Sequence, residues 1–211
     1  MAGFSLVELM LSLSLGLVLS GVMLQGLMAE GQNGARLSRL LRERAWQRRT
    51  LELVKSDLAQ AIVVSETPER EPHGCNLAGR QPVLHLSTAA GPITYSVGPA
   101  PSAIWRGRVL MRCGPAFGLD GQFTHGSQLL NRVVIDALAV QPQGSMDCAQ
   151  WLGSARDIAM RQLAGLSNQP FAACLDPHTG LIALRIEQRF DGMRMEKQQR
   201  IALELVVGTG V

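Results

Sequence analysis

Apolar residues run almost unbroken from Phe4 to Ala29, and the stretch FSLVELMLSLSLGLVLSGVMLQGLMA carries a single charge, Glu8. A helix of this length crosses the hydrocarbon core of a bilayer, which takes about 20 residues. Its polar residues, Ser5, Ser12, Ser14, Ser20 and Gln25, form no continuous stripe of the kind an amphipathic core helix shows. The stretch is also too long for a secretory signal and has an acid near its start, so residues 4–29 read as a transmembrane segment. An acid inside hydrocarbon is costly when alone and marks a position that must find a partner.

Glu30-Gly31-Gln32-Asn33-Gly34 then places two glycines in the pattern, each costing about 1 kcal/mol in a helix relative to alanine. A hinge or local melting site is expected there. From Ala35 to Val63 helical spacing returns, with Leu51, Val54, Leu58 and Ala61 or Ile62 on one face and Glu52, Lys55, Ser56 and Gln60 elsewhere. That face predicts packing on a sheet. A nearly continuous helix over 4–62 would be roughly 90 Å long. Pro68 and Pro72 end the helical pattern, and the globular part, 63–211, begins near them. Period-two alternation predicts strands at Val83–Ser87, Ile93–Val97, Ile104–Arg112, Arg132–Leu138, Leu181–Phe190 and Arg200–Val207. The last two read as a hairpin with one buried face, opened by Asp191-Gly192. Ser154-Ala155-Arg156-Asp157 has the form of a capping box starting a short helix to about Leu166. The fold class is therefore α+β, a long helix with an antiparallel sheet.

Composition sharpens this picture. Hydrophobic residues are 46% and charged residues 18% of 211, an apolar excess that the N-terminal segment explains. Net charge is +3, and from Ile62 onward 13 Lys or Arg face 12 Asp or Glu, so the basic excess sits in Arg36, Arg39, Arg42, Arg44, Arg48 and Arg49. These arginines suit a solvated face, anionic lipid headgroups or acids on neighbouring helices. Nine aromatic residues in all supply no stacking platform for single strands, and nucleic acid is not indicated as a partner.

The segment Gly3-Phe4-Ser5-Leu6-Val7-Glu8-Leu9-Met10 closely resembles the class III signal of type IV prepilins and type II secretion pseudopilins. The resemblance implies a leader of residues 1–3, cleavage by a membrane-embedded prepilin peptidase between Gly3 and Phe4, and methylation of the new N-terminus at Phe4. It also implies that Glu8 pairs with the Phe4 amine of a neighbouring subunit during assembly, in a low-dielectric bundle where either charge alone is costly. Family leaders usually carry Lys or Arg before the Gly, whereas Met1-Ala2 precedes it here. Positive-inside counting would put the arginine cluster in the cytoplasm; the resemblance implies the opposite, a periplasmic C-terminal domain. More weakly, RRTLELVKSDLAQA, from Arg48 to Ala61, is similar to the end of the long helix in large minor pilins of the PilW type and in J-type pseudopilins.

In an exported domain an even number of cysteines favours disulfides. Cys75, Cys113, Cys148 and Cys174 allow three connectivities, of which Cys75 with Cys113 and Cys148 with Cys174 is favoured. No CxxC pair exists, and His73, His85, His125 and His178 form no HExxH or HxH, so neither a metal site nor any cofactor is expected. GxSxG, P-loop and GxGxxG patterns are absent from the sequence, and His73 beside Cys75 is a poor nucleophilic dyad on a loop. Asp120-Gly121 and Asp176-Pro177-His178-Thr179-Gly180 have turn composition. No enzyme is expected. The resemblance implies a minor pilin that sits in the inner membrane through one helix before entering a pilus on the cell surface. Its partners would be other pilins, prepilin peptidase, the inner-membrane assembly platform and membrane lipid. A J-type pseudopilin of a type II secretion system, or an adhesin displayed on a pilin anchor, are the alternatives.

Overall fold

Helix α1 runs from Leu6 to Ala59 without a break, and the two glycines do not interrupt it. Gly31 and Gly34 weaken the helix locally, but neither removes a backbone donor as proline would, and strong helix formers such as Leu37, Leu40 and Leu41 propagate it beyond them. The computed structural model describes residues 5–124, 126, 128–140, 148, 161–163, 169–176, 179–190 and 199–208. It divides into two compact units, Met1–Ala45 and Trp46–Val211.

In the first unit, Leu6–Met28 is the one helical stretch among the described residues long and apolar enough to cross a membrane. None of it is buried within the chain, which is compatible with a single-pass membrane protein.

The second unit is α+β. The strands are β1 (Ala61–Val64), β2 (Gln81–Thr88), β3 (Gly91–Pro99), β4 (Arg108–Gly114), β5 (Leu130–Leu138), β6 (Arg161–Gln162), β7 (Phe171–Leu175), β8 (Leu181–Phe190) and β9 (Gln199–Gly208). They form one antiparallel sheet in the order β1-β2-β3-β4-β5-β8-β7-β6, with β9 paired to β8. Leu51, Val54, Leu58 and Ala61 are buried against Leu84, Leu86, Ile93, Tyr95, Val97 and Leu110, so the helical stripe meets the sheet as expected.

Several boundaries differ from the sequence reading. The helix stops at Ala59 rather than Ile62, because Ile62-Val63-Val64 is a β-branched run that favours extended backbone and pairs with β2 through Val63 opposite Ser87 and Val64 opposite Leu86. Ile62 is accordingly exposed. The strand expected from Ile104 begins only at Arg108. Ahead of it, Trp105 N–H donates to the Ser102 carbonyl at 3.3 Å in a turn, and Gly107 has φ 60°, which extended backbone does not allow. The expected helix from Ser154 lies mostly outside the described residues, but Arg161–Gln162 within it are strand β6, paired with Leu175 and Cys174. The β8–β9 hairpin spans Leu181 opposite Gly208 to Phe190 opposite Gln199, and its Asp191-Gly192 turn lies outside the described residues. Its strand β8 is buried on both faces, not one: Ile182, Leu184 and Ile186 enter the main core, while Ala183 packs with Cys148 and Cys174.

Strands β2 and β3 are likewise covered twice. Leu84, Leu86, Ile93 and Tyr95 face the helix, yet the alternate residues His85, Thr94 and Ser96 are also buried. The segment 65–80 covers them. Ser65 N–H donates to the His85 carbonyl at 2.9 Å, Asn131 Nδ2 donates to the Asn76 carbonyl at 2.9 Å, and Cys75 is bonded to Cys113 of β4. Gly98 is required where this segment returns, since a Cβ there would lie 2.8 Å from the Arg80 Cα.

Candidate functional site

Gly3 and Phe4, the proposed processing positions, lie outside the described residues. Glu8 is in the first turn of α1 and exposed. Its Oε2 accepts the Ser5 backbone N–H at 3.2 Å, and the Ser5 carbonyl accepts the Leu9 N–H at 3.2 Å. Glu8 thus satisfies one of the amides a helix N-terminus leaves without an intrahelical acceptor, and its charge is favourably placed against the helix dipole. The S-x-x-E spacing from Ser5 to Glu8 was the available signal for this local role. One amide leaves most of a carboxylate's acceptor capacity unused, so a cationic donor can be added without dismantling the cap. Further along, Ser12 Oγ donates to the Leu9 carbonyl and Ser14 Oγ to the Leu11 carbonyl, each at 2.9 Å, which lets hydroxyls sit in an apolar span.

At the other end of α1, a group not singled out in the sequence ties helix to sheet. Asp57 is fully buried. Arg112 Nε donates to its Oδ2 at 2.6 Å, Arg112 Nη2 to its Oδ1 at 3.2 Å and the Tyr95 hydroxyl to its Oδ2 at 2.7 Å. Arg112 Nη1 donates to the Pro115 carbonyl at 3.0 Å, and its guanidinium lies 4.9 Å from the Phe117 ring and 5.7 Å from the Phe123 ring. Burial, and then the charge and hydrogen bond of Asp57, push the Tyr95 hydroxyl well above its usual range. Burial acts to lower Arg112, but the hydrogen bond and charge of Asp57 outweigh it and raise it. The group can therefore hold a fixed ion pair, with the Tyr95 hydroxyl and the Arg112 guanidinium both pushed towards their protonated forms. An acid at i+3 from Val54, inside the apolar stripe, was the sequence signal for it.

The cysteines form two disulfides, Cys75–Cys113 and Cys148–Cys174, with sequence separations of 38 and 26. The first fastens segment 65–80 to β4; the second joins Cys148 to Cys174 of β7. Cys75 is thereby no nucleophile for His73. Instead the His73 ring meets His85 edge-on, with centroids 6.1 Å apart, and His85 Nδ1 is hydrogen-bonded to Thr94 Oγ1 at 2.8 Å. Burial, against the attraction of Glu71 and with the repulsion of His73, holds the His85 imidazole below its usual value. His125 and His178 lie outside the described residues. Among the described residues no group of three or more His, Cys, Asp or Glu side chains is placed to hold a metal ion.

Neither a family model, nor a curated protein, nor a solved structure matches the chain.

Proposed function

We propose that the chain is a minor pilin, a structural subunit that primes or caps type IV pilus assembly after cleavage between Gly3 and Phe4. The observation that carries the reading is GFSLVELM leading into an exposed apolar helix, with Glu8 in its first turn. Two further features support it. A long helix followed by an antiparallel sheet is what a pilin-like fold requires, and disulfides fastening the sheet domain suit an oxidising, exported location. In this reading the mature Phe4 amine of one subunit meets Glu8 of another inside the helical bundle, and the chemistry of the protein is assembly rather than turnover.

The test is deletion and complementation with electron-microscopic counting of surface filaments. Loss of a priming pilin reduces filament number, and the unmodified gene restores it. Normal filaments that no longer adhere would point instead to an adhesin, and normal filaments with failed protein secretion to a J-type pseudopilin.

A further inference from the structure

The segment 65–80 lies over β2 and β3 as a strap, and much of its hydrogen bonding closes on itself. Ser65 Oγ donates to Glu71 Oε1 at 2.7 Å and accepts the Thr67 N–H at 3.2 Å. Arg70 N–H donates to the Thr67 carbonyl and Arg80 N–H to the Leu77 carbonyl, each at 3.0 Å, and Ala78 N–H to Asn76 Oδ1 at 2.8 Å. Its ties to the sheet include the Ser65 N–H on the His85 carbonyl, the Asn131 amide on the Asn76 carbonyl and the Cys75–Cys113 bond. Residues 65–74 are thus held between β1 on one side and a disulfide on the other. A stretch bonded mainly within itself can open locally while the sheet stays folded.

Two imidazoles meet under this strap. His73 belongs to it, His85 is buried on β2, and their rings lie edge to face with centroids 6.1 Å apart. An imidazolium carries a proton on both nitrogens, and neither ring is placed for that. The His73 Nδ1 is buried without a hydrogen-bond partner, so a proton added there becomes a buried donor with no acceptor. His85 Nδ1 is engaged by Thr94 Oγ1 at 2.8 Å, and protonation confines that hydroxyl to accepting. Two cations would also face each other at short range, away from water. The charged groups acting on His85 are Glu71, which favours its proton, and His73, which opposes it; both stand on the strap, and burial outweighs Glu71. From β3 the ring meets the neutral Thr94.

We propose that the His73–His85 pair is an acid-sensitive latch: neutral, it seats the strap, and its protonation in mild acid frees residues 65–74 from β2 and β3 while the Cys75–Cys113 bond keeps them tethered. Opening wets the side of the sheet that carries His85, Thr94 and Ser96, all buried when the strap is down, and leaves the side against α1 closed. The latch lies within the sheet domain and does not rest on the assembly reading. Hydrogen exchange of the full chain in detergent micelles tests it, read by mass spectrometry at pH 7.5 and 5.0 and corrected for the chemical exchange rate at each pH. Peptides covering 65–74 should lose protection about tenfold in acid, the response to one proton taken up over one pH unit, while those covering β3 keep theirs. His85→Gln, which keeps a hydrogen-bonding group for Thr94 but does not titrate, should abolish the acid response, and His73→Gln, which removes the facing charge, should diminish it. An acid response that is absent, that spreads equally to β3, or that persists unchanged in either variant overturns the inference.

Discussion

Replacing Arg112 by methionine keeps the length and apolar bulk of the side chain but removes three hydrogen bonds, two to Asp57 and one to the Pro115 carbonyl. Asp57, with no exposed surface, is left with the Tyr95 hydroxyl as its remaining hydrogen-bond donor of the group. Orphaning one member of a buried pair costs about 3–5 kcal/mol, because the other charge can neither reach water nor find a counter-ion. That is a large part of the 5–15 kcal/mol that typically separates folded from unfolded protein. At about 2–4 °C per kcal/mol for a domain of this size, the melting temperature should fall by roughly 10 °C. The triple variant Asp57→Leu, Arg112→Met, Tyr95→Phe removes every charged and hydroxyl group of the cluster, leaves only the Pro115 carbonyl without its Arg112 donor, and should recover most of the loss, since apolar replacement of buried pairs is often neutral. Guanidinium chloride unfolding of the full chain in detergent, followed by near-ultraviolet circular dichroism, measures both. If Arg112→Met alone costs less than about 1 kcal/mol, the value of an exposed pair, the assignment of Asp57 and Arg112 as the link between helix and sheet fails.

Other outcomes follow from the same structure. Glu8→Val should still be cleaved at Gly3 but enter filaments poorly, read by comparing the processed protein in membrane and sheared-filament fractions; normal incorporation removes the proposed ion pair. Because burial lowers the His85 pKa, the unfolded chain binds a proton near 6.5 that the folded chain resists. Stability should therefore fall as pH drops below about 6.5 and level off once the folded imidazole is also protonated. His85→Gln should flatten that part of the urea midpoint against pH. Removing the Cys75–Cys113 bond by paired alanine substitution should cost about 4 kcal/mol, the chain-entropy value for its separation of 38 residues, read from the shift in urea midpoint.

What the sequence made legible was whatever periodicity alone determines. The stripe Leu51, Val54, Leu58 is buried as its spacing demands, and the alternation at β8 sets that strand's limits at Leu181 and Phe190. Misreadings arose where tertiary pairing decided. Ala61–Val64 continues the helical spacing yet becomes a strand because β2 offers it a partner. Strand β7, FAACL, is apolar on both faces and too short for a period to declare itself. Asp57 and Arg112 are 55 residues apart, and nothing local announces that they meet. Glu8 was visible as an anomaly in an apolar run, whereas its bond to the Ser5 amide needed the helix start to be located.

The most direct test of the minor pilin account is intact and N-terminal peptide mass spectrometry of the native protein from sheared filaments and from membranes. The account predicts a filament-borne chain beginning at N-methylated Phe4. An unprocessed Met1-Ala2-Gly3 terminus confined to membranes would contradict it.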